Sequence, residues 1–395
     1  MNFELLYSAA HAEFPDTEPL GGGKAVADHL IRKWRLHAPF ALTVLSPASL
    51  GLSLAKPITQ MTERKYGLFC RQFEKAATAE ILKRDPGDCV VLSNDISEGP
   101  DFALLGQNGY RIVTIFHVDV VEYFAKFYLR NLVPLPRLTK FHRFSLLPEV
   151  LKLVFQKQFE CVLYSARIVV PSAPMRDTIL LCYPECPPQK IVILPWGDVS
   201  PQLADAGAPP SPVVEIADIA DDEFVLLTLS RLSPEKGIEQ LLLALRHLDD
   251  AKYRLRVIIC GAPAYMKGQR YARKLQNLAA QLKQIRVDFP GHVTGVLKTA
   301  LLRRADLFVS PSLHESYGLS IAEATSAGCR VVSHHHYGAS GTVIDCSKPM
   351  VFARIILEAV TAGRTPKSLP LEAPATAAHG PAPQLAELLV RAHVS

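Results

Sequence analysis

The sequence lacks the long apolar segment of an integral membrane protein. None of its uncharged apolar runs is long enough to span a bilayer. Its first residues carry Glu4 and no basic segment, so a signal peptide is not expected. Charged residues make up only 21% of the 395 residues and hydrophobic residues 49%, which excludes a disordered chain. We therefore expect a cytoplasmic protein with two or three well-packed domains.

Patterns for metal and nucleic-acid binding are also missing. The eight cysteines are scattered apart from Cys182 and Cys186, and no partner Cys-x-x-Cys or histidine cluster completes a zinc site. Three consecutive histidines, His334 to His336, should point in different directions, so one ion is not expected to bind all three. Neither Asp-x-Asp nor a Walker loop occurs, and a net charge of +5 is too small to indicate nucleic acid as a partner. We expect reduced core cysteines and no metal requirement.

Strand and helix patterns alternate along most of the chain. A strand pattern at Phe3–Ser8 precedes a Gly-rich loop with Gly22 and Gly23, and a helix pattern follows. Such alternation predicts parallel sheets whose ligands bind beyond the carboxyl ends of the strands. A Pro-rich stretch divides the alternating elements into two series, and a Pro- and Ala-rich tail follows them. We expect a first domain at 1–199, a linker at 200–222, a second domain at 223–362, and a tail with a terminal helix at 363–395.

Two glutamates, Glu315 and Glu323, stand out in the second series, with seven residues between them. A strand pattern precedes them, and a helix pattern, Ser320–Ala327, contains the second. The turn between strand and helix, Ser316–Leu319, exposes backbone N–H groups at the positive end of the helix dipole, which suits an anion. A strand–helix loop with two solvated glutamates would explain the pair alone.

A second loop in this series carries two cations five positions apart, Arg231 and Lys236, just before Gly237 and a helix pattern. Cations on a loop that enters a helix suit a diphosphate. The alternative is an ordinary surface loop with a proline at the helix start.

These motifs resemble glycosyltransferase family 4, whose members are retaining enzymes of the GT-B fold. The family pattern around the two glutamates is matched in register by Pro311, Ser312, Glu315, Tyr317, Gly318, Leu319, Glu323, Ala324 and Gly328. The family's R-x4-K-G is matched by Arg231, Lys236 and Gly237. The resemblance implies an α/β protein with two Rossmann-like doubly wound domains that face a central cleft.

The same resemblance implies roles for individual residues. The catalytic set is His117, Arg231, Lys236 and Glu315. The donor-binding set is Gly22, Gly23, Gly295, Val296, Tyr317, Gly318, Leu319, Ser320 and Glu323. In the family, Glu323 would hold the ribose, Glu315 the donor sugar, and His117 would lie beside the anomeric carbon. The family's next aspartate is displaced here, because Val118 intervenes before Asp119.

The implied reaction is transfer of a hexose from a UDP- or GDP-linked sugar to a hydroxyl of a glycan, lipid or small molecule. It retains the anomeric configuration and needs no metal or other cofactor. Two alternatives stay open, a GT-B sugar-nucleotide epimerase and a non-catalytic GT-B partner subunit. The second is disfavoured because both glutamates and both cations are present.

The region Tyr123–Glu160 combines apolar residues with seven cations and only two acids. Helices packed on a sheet, with a solvated basic face, would explain it. The alternative is a surface that contacts an anionic acceptor or the inner membrane face. Phe124, Phe127, Leu129 and Leu132 would insert into the membrane if they face outward, and would build a core if they face inward.

Overall fold

The structure is a computed structural model. It describes residues 3–14, 21–53, 58, 61–144, 146–197, 199, 219–249, 253–264, 268–364 and 381–394. The described chain forms two compact units. The first contains residues 3–14, 21–197 and 381–394, and the second contains residues 219–364. Most of the predicted linker and most of the predicted tail lie outside the described residues.

The first unit is built on a six-stranded sheet in which every strand pairing is parallel. Its strands are β1 (Glu4–Ser8), β2 (Ala41–Leu45), β3 (Cys89–Ser93), β4 (Arg111–Ile115), β5 (Arg167–Val170) and β6 (Ile191–Ile193). Their order in the sheet is β2-β1-β3-β4-β5-β6. The strand order reverses between β1 and β3, because β2 lies on one side of β1 and the later strands lie on the other. Such sheets bind ligands at this switch point, beyond the carboxyl ends of the strands.

Helices of the first unit connect these strands. They are α1 (Gly22–His37), α2 (Glu63–Ile81), α3 (Phe102–Gln107), α4 (Val120–Phe127), α5 (Leu135–Leu138), α6 (Glu149–Tyr164) and α7 (Ala173–Cys182), with 3-10 turns at Thr139–Arg143 and Pro188–Lys190. Side-chain caps fix several starts. Asp101 accepts a 2.9 Å hydrogen bond from Leu104 N at the start of α3, and Asp119 accepts one of the same length from Glu122 N at the start of α4.

The second unit also has six parallel strands, but in a different order. They are β7 (Phe224–Leu229), β8 (Leu255–Cys260), β9 (Arg286–Gly291), β10 (Leu307–Ser310), β11 (Arg330–His334) and β12 (Thr342–Ile344). The order β12-β11-β10-β7-β8-β9 is that of dinucleotide-binding domains, with the reversal between β7 and β10. The helices are α8 (Ile238–Leu245), α9 (Gly268–Ala279), α10 (Gly295–Arg304), α11 (Leu319–Ser326) and α12 (Pro349–Thr361).

Two hydrophobic cores lie on the two faces of the second sheet. One joins α8, α9 and α12 to the sheet, and the other joins α10 and α11 to it. Because helices cover both faces, the strands are apolar on both sides, as in Phe224–Leu229. The doubly wound α/β architecture expected from the alternating pattern is therefore confirmed.

The helix nearest the end of the chain, α13 (Pro381–Val394), belongs to the first unit. It packs on α1, β3 and β4. The indole N–H of Trp34 donates a 3.0 Å hydrogen bond to the Ala382 carbonyl, and the rings of Phe3 and His393 stack 4.7 Å apart. The sequence predicted a helix here but did not indicate which sheet it would cover.

Two local predictions were wrong, and one strand was missed. The sequence pattern predicts one amphipathic helix over Lys267–Arg286, but α9 ends at Ala279, and Arg286 begins β9. This strand contains Pro290, which is tolerated because β9 lies at the edge of the sheet. The short strand β12 was not predicted. Gly22 and Gly23, expected in a loop, form the first turn of α1 instead, after Gly21 at φ 91°.

All eight cysteines are buried free thiols, as expected of core residues. Among the helices of the described chain, none is both long enough and apolar enough to cross a membrane.

Candidate functional site

The loops that follow β7 and β10 meet at the switch point of the second sheet. Leu313 N donates a 2.8 Å hydrogen bond to the carbonyl of Glu235, which joins one loop to the other. Gly237, at φ 61°, lies directly against the carbonyl of Pro311, where a Cβ atom would collide with that oxygen. The two predicted motifs are therefore brought together, and their close approach requires glycine at position 237.

One predicted catalytic pair forms a direct ion pair. Lys236 Nζ donates a 2.5 Å hydrogen bond to Glu315 Oε1, and both side chains are largely buried. Burial raises the pKa of the Glu315 carboxyl, but the Lys236 ammonium, helped by smaller contributions from His336 and Ser312, outweighs burial and lowers that pKa below its ordinary value. Glu315 is therefore ionised at neutral pH.

The other predicted cation, Arg231, lies beside an acid of its own loop. Its Nη2 is 3.8 Å from Glu235 Oε1, and the same oxygen accepts a 2.5 Å hydrogen bond from Ser233 Oγ. The loop thus carries two cations and one fixed acid, and Glu315 supplies a second acid from the facing loop.

Helix α11 begins beside this pair. Its N-cap, Gly318, has φ 79°, and the Gly318 carbonyl accepts hydrogen bonds from Ile321 N and Ala322 N. The N–H groups of Leu319 and Ser320 precede these and have no acceptor within the helix. A helix start of this kind offers N–H donors and a positive dipole end to an anion.

Glu323, one turn into α11, has a partner that the sequence did not indicate. Its Oε1 accepts a 3.0 Å hydrogen bond from Lys298 Nζ of α10. The predicted donor residues Gly295 and Val296 are the first two residues of that same helix. The ion pair thus brings the starts of α10 and α11 into one neighbourhood, although the two partners are far apart in the sequence.

Two of the three consecutive histidines, His334 and His336, face different groups. His334 Nδ1 accepts a 3.1 Å hydrogen bond from Cys346 N, so this ring faces the start of the loop before α12. His336 is close enough to Glu315 to affect its pKa. Within the described parts of the chain, no group of three or more His, Cys, Asp or Glu side chains is arranged to hold a metal ion.

A second cluster of polar side chains lies at the switch point of the first sheet. Asn94 follows β3, and its Oδ1 accepts hydrogen bonds from Tyr7 of β1 (2.7 Å) and from His117 Nε2 (3.1 Å). Gly23 is also close, because a Cβ there would lie 3.5 Å from both the His117 ring and Asp95. The structure thus brings together Gly23 and His117, two residues predicted separately.

The hydrogen bonds of Asn94 determine which nitrogen of His117 carries the proton. Asn94 Nδ2 donates to the Gly23 carbonyl and to Asp95 Oδ2, so its Oδ1 must be the acceptor towards His117. His117 then has its proton on Nε2 and a lone pair on Nδ1. Burial lowers the pKa of His117 to about 4, with Asp95 opposing the shift and His11 adding to it, so the ring is neutral at neutral pH.

Several polar residues in this cluster were not predicted. His11 is buried between Asp95 and Glu98, at 3.8 Å and 3.6 Å. Asn94 lies in a short polar segment after β3, and its position at the carboxyl end of a strand was a usable signal. Asp119 has a structural role, because it caps α4 and accepts a 3.0 Å hydrogen bond from Gln158.

Residues 214–355 match the family model for glycosyl transferases of group 1. This stretch contains both switch-point loops, the Lys236–Glu315 pair and the Lys298–Glu323 pair. The second unit is similar to the group 1 glycosyl transferases. The matched residues make up less than half of the chain.

Curated relatives show the same limited overlap. D-inositol 3-phosphate glycosyltransferase of Salinispora tropica is 32% identical over 149 residues, which are 35% of this chain and 31% of the relative. Alpha-monoglucosyldiacylglycerol synthase of Streptococcus pneumoniae is 30% identical over 116 residues, or 29% of this chain and 25% of the relative. The matches thus span about a quarter to a third of these relatives.

Solved structures match over almost the whole chain. Anabaena HepE, solved with UDP and glucose, has a TM-score of 0.62 at 16% identity, covering 98% of this chain and all of HepE. The trehalose-phosphate synthase of Burkholderia xenovorans has a TM-score of 0.60 at 13% identity, covering 91% of this chain and 92% of the synthase. At these identities the likeness shows the fold alone, which is the GT-B fold of two parallel-sheet α/β domains.

Proposed function

We propose that this chain is a retaining glycosyltransferase of family 4 that moves a hexose from a nucleotide-diphosphate sugar to a hydroxyl acceptor. The observation that carries the proposal is the pairing of Lys236 with Glu315 at the switch point of the second sheet. Ligands of such sheets bind at this position. The two cations of the β7 loop and the free N–H groups at the start of α11 suit the diphosphate of the donor.

The charged residues predicted for the second unit have groups that suit a sugar-nucleotide donor. Arg231, Lys236 and the N–H groups of α11 would hold the diphosphate. Glu315 is ionised and retains lone pairs beyond its bond to Lys236, so it can accept hydrogen bonds from hydroxyls of the donor sugar. Glu323 would accept hydrogen bonds from the ribose hydroxyls, while Lys298 donates a hydrogen bond to its Oε1.

In the proposed reaction, the bond between the anomeric carbon and the phosphate oxygen breaks. A bond from the acceptor oxygen forms on the same face, and the acceptor proton moves to the departing phosphate oxygen. The departing diphosphate gains negative charge, which preorganised cations and N–H groups stabilise. Because Arg231, Lys236 and α11 supply these groups, we propose that no divalent metal is needed. His117 is proposed as a catalytic residue in its neutral form, with the Nδ1 lone pair available.

The comparisons bear more on the identity of the proposed donor than on that of the acceptor. HepE was solved with UDP and glucose, which favours a UDP-linked glucose over a GDP-linked sugar. One curated relative is named for an inositol phosphate and another for a glucosylated diacylglycerol, so the acceptor is proposed only as a hydroxyl of a glycan, lipid or small molecule. For location, we propose a cytoplasmic protein that contacts the inner membrane face through residues 123–160.

The test is turnover of UDP- and GDP-linked hexoses, measured as nucleotide release with and without a panel of acceptors, in excess EDTA. Release that depends on an acceptor and yields an α-glycoside from an α-linked donor supports the proposal. An isomerised sugar without a glycoside would identify an epimerase, and no turnover of any donor would favour a non-catalytic subunit. Loss of activity in EDTA that Mg²⁺ or Mn²⁺ restores would contradict the metal-free mechanism.

A further inference from the structure

The strongest unexplained feature is a stretch of exposed apolar side chains in the first unit, at residues 128–146. Leu146 is 95% exposed and Leu132 is 82% exposed, the two largest values for large apolar side chains in the described chain. Phe144 (59%) and Tyr128 (48%) lie in the same stretch. Single exposed apolar residues are ordinary, but several in one short segment mark an interaction surface.

The two most exposed of these side chains, Leu132 and Leu146, are not part of the local core. Below the stretch, Val121, Ala125, Leu138 and Phe155 form a small buried cluster. Phe124 and Leu129, which the sequence offered as membrane-inserting residues, pack against that cluster. Leu132 is the only one of the four sequence candidates that is largely exposed. The segment therefore has a complete inward face and a separate apolar outward face.

The backbone after α4 is shaped to present Leu132. Arg130 and Asn131 have φ of 51° and 56°, a conformation that residues other than glycine rarely adopt. Asn131 N donates a 2.9 Å hydrogen bond to the Ala125 carbonyl, and Leu132 N donates one of 3.0 Å to the Leu129 carbonyl. Two consecutive residues in this region form a tight, hydrogen-bonded turn that directs Leu132 into solvent.

The charges of the stretch all have one sign. Residues 128–148 contain no Asp or Glu, and the exposed cations among them are Arg130, Arg137, Lys140 and Arg143. In the described chain, none of the four takes part in an ion pair. At the border of the stretch, Glu149 is held by Lys152 at 2.8 Å and by Arg71 at 3.3 Å, and Glu63 accepts a hydrogen bond from the Tyr128 hydroxyl. The surface therefore carries uncompensated positive charge beside apolar side chains.

We propose that residues 128–144 and 146 form a docking surface for an anionic phospholipid bilayer, in which Leu132, Phe144 and Leu146 enter the interface. The four cations face the lipid phosphates, and the apolar side chains leave water. Cations beside exposed apolar side chains are typical of a reversible peripheral membrane contact. A bilayer suits this surface better than nucleic acid, because nucleic acid offers no apolar environment for the exposed leucines. The proposal deepens the membrane contact proposed above and rests on it, but vesicle binding is measured without a sugar donor, so its failure is distinct from a failure of glycosyl transfer.

The first experiment is sedimentation of the full chain with phosphatidylcholine vesicles that contain or lack phosphatidylglycerol, at low and high salt. Binding is expected only to the anionic vesicles, and it should weaken as salt rises. Replacing Arg137 and Arg143 by serine should reduce partitioning by roughly 25-fold, about fivefold for each cation. Lys75→Ser, at an exposed position of α2, is the charge control and should have little effect.

The second experiment places a reporter in the surface. In Leu146→Trp, anionic vesicles should shift the added fluorescence to the blue, because the indole leaves water. Leu36→Trp is the matched control, at a position 68% exposed on α1, and should show no shift. Since both positions are exposed, neither variant should disturb folding, which circular dichroism will check.

Several results would overturn the proposal. They are absence of binding to anionic vesicles at low salt, binding that Leu132→Ser and Leu146→Ser leave unchanged, and an equal blue shift at both reporter positions. A dimer in light scattering that Leu146→Ser dissociates would assign the surface to self-association instead. Duplex DNA binding that matches vesicle binding and survives the apolar substitutions would assign it to nucleic acid.

Discussion

Replacing Lys236 by methionine should destabilise the second unit, because Glu315 then keeps a buried carboxylate without its cation. The two side chains are only 12% and 18% exposed, and their charged atoms lie 2.5 Å apart. Breaking a fully buried pair costs roughly 3–5 kcal/mol, whereas an exposed pair contributes at most ~1 kcal/mol. The residual exposure places the expected loss near the lower limit of the first range, about 3 kcal/mol at pH 7.

The loss should depend on pH with a definite sign. In the wild type the pKa of Glu315 lies below its ordinary value, so its contribution is present above pH 4.5 and disappears as the pH falls through the lowered pKa. Without Lys236, burial meets weaker opposition and the pKa rises. The variant therefore binds a proton at a higher pH than the wild type, and the difference in unfolding free energy between them should shrink between pH 7 and pH 4.5.

Urea unfolding followed by far-ultraviolet circular dichroism measures this difference. Both tryptophans, Trp34 and Trp196, lie in the first unit, so their fluorescence provides an internal control that the substitution should leave unchanged. Lys274→Met is the matched control, because Lys274 forms an exposed ion pair with Glu239 in the same unit.

Adding Glu315→Gln to the Lys236→Met variant should recover part of the loss by removing the buried charge. The reasoning is wrong if Lys236→Met costs no more than Lys274→Met, or if its effect stays constant from pH 7 to pH 4.5.

Three further substitutions test other parts of the two sites. Gly237→Ala should lower the unfolding free energy by about 1–3 kcal/mol more than Gly291→Ala, because only at position 237 does the new methyl group meet a backbone carbonyl; equal losses would disprove the contact. Nuclear magnetic resonance should give His117 a pKa of about 4, and Asn94→Asp should raise it by placing a carboxylate against Nε2. A pKa that stays the same in this variant would contradict the contact between His117 and Asn94. Glu323→Ala should weaken UDP binding in calorimetry while the protein stays folded, although Lys298 loses its partner and the unfolding free energy should fall; wild-type affinity would exclude the ribose role.

Local pattern was sufficient to predict most of the alternating elements and the fold class. The stretch around Glu315 and Glu323 contains its own strand, its glycine turn and its helix start, so its local structure follows from neighbouring residues. The prediction missed strand β9 because it relied on local pattern, in which Pro290 and Gly291 are typical turn residues. They are accommodated only because this strand lies at the sheet edge, which is a property of the whole sheet.

The partners of the site residues could not be predicted, because they come from other parts of the chain. Lys298 is 25 residues from Glu323, and Lys236 is 79 residues from Glu315. Asn94 meets His117 only because β3 and β4 are neighbours in the sheet. Residue type and spacing indicated which side chains carry charge or can donate protons, while strand order determined which of them meet.

Helix α13 has a consequence for how the protein folds during synthesis. The first sheet is translated early, but the helix that covers Trp34 and Phe3 is translated only after the whole second unit. At ordinary ribosomal rates this delay lasts on the order of 10–40 s. During that time the second unit can complete its core, while the first exposes the apolar surface that α13 will cover. The half of the protein that is made first is therefore the half that finishes folding last, and its uncovered surface is where a nascent-chain chaperone would bind.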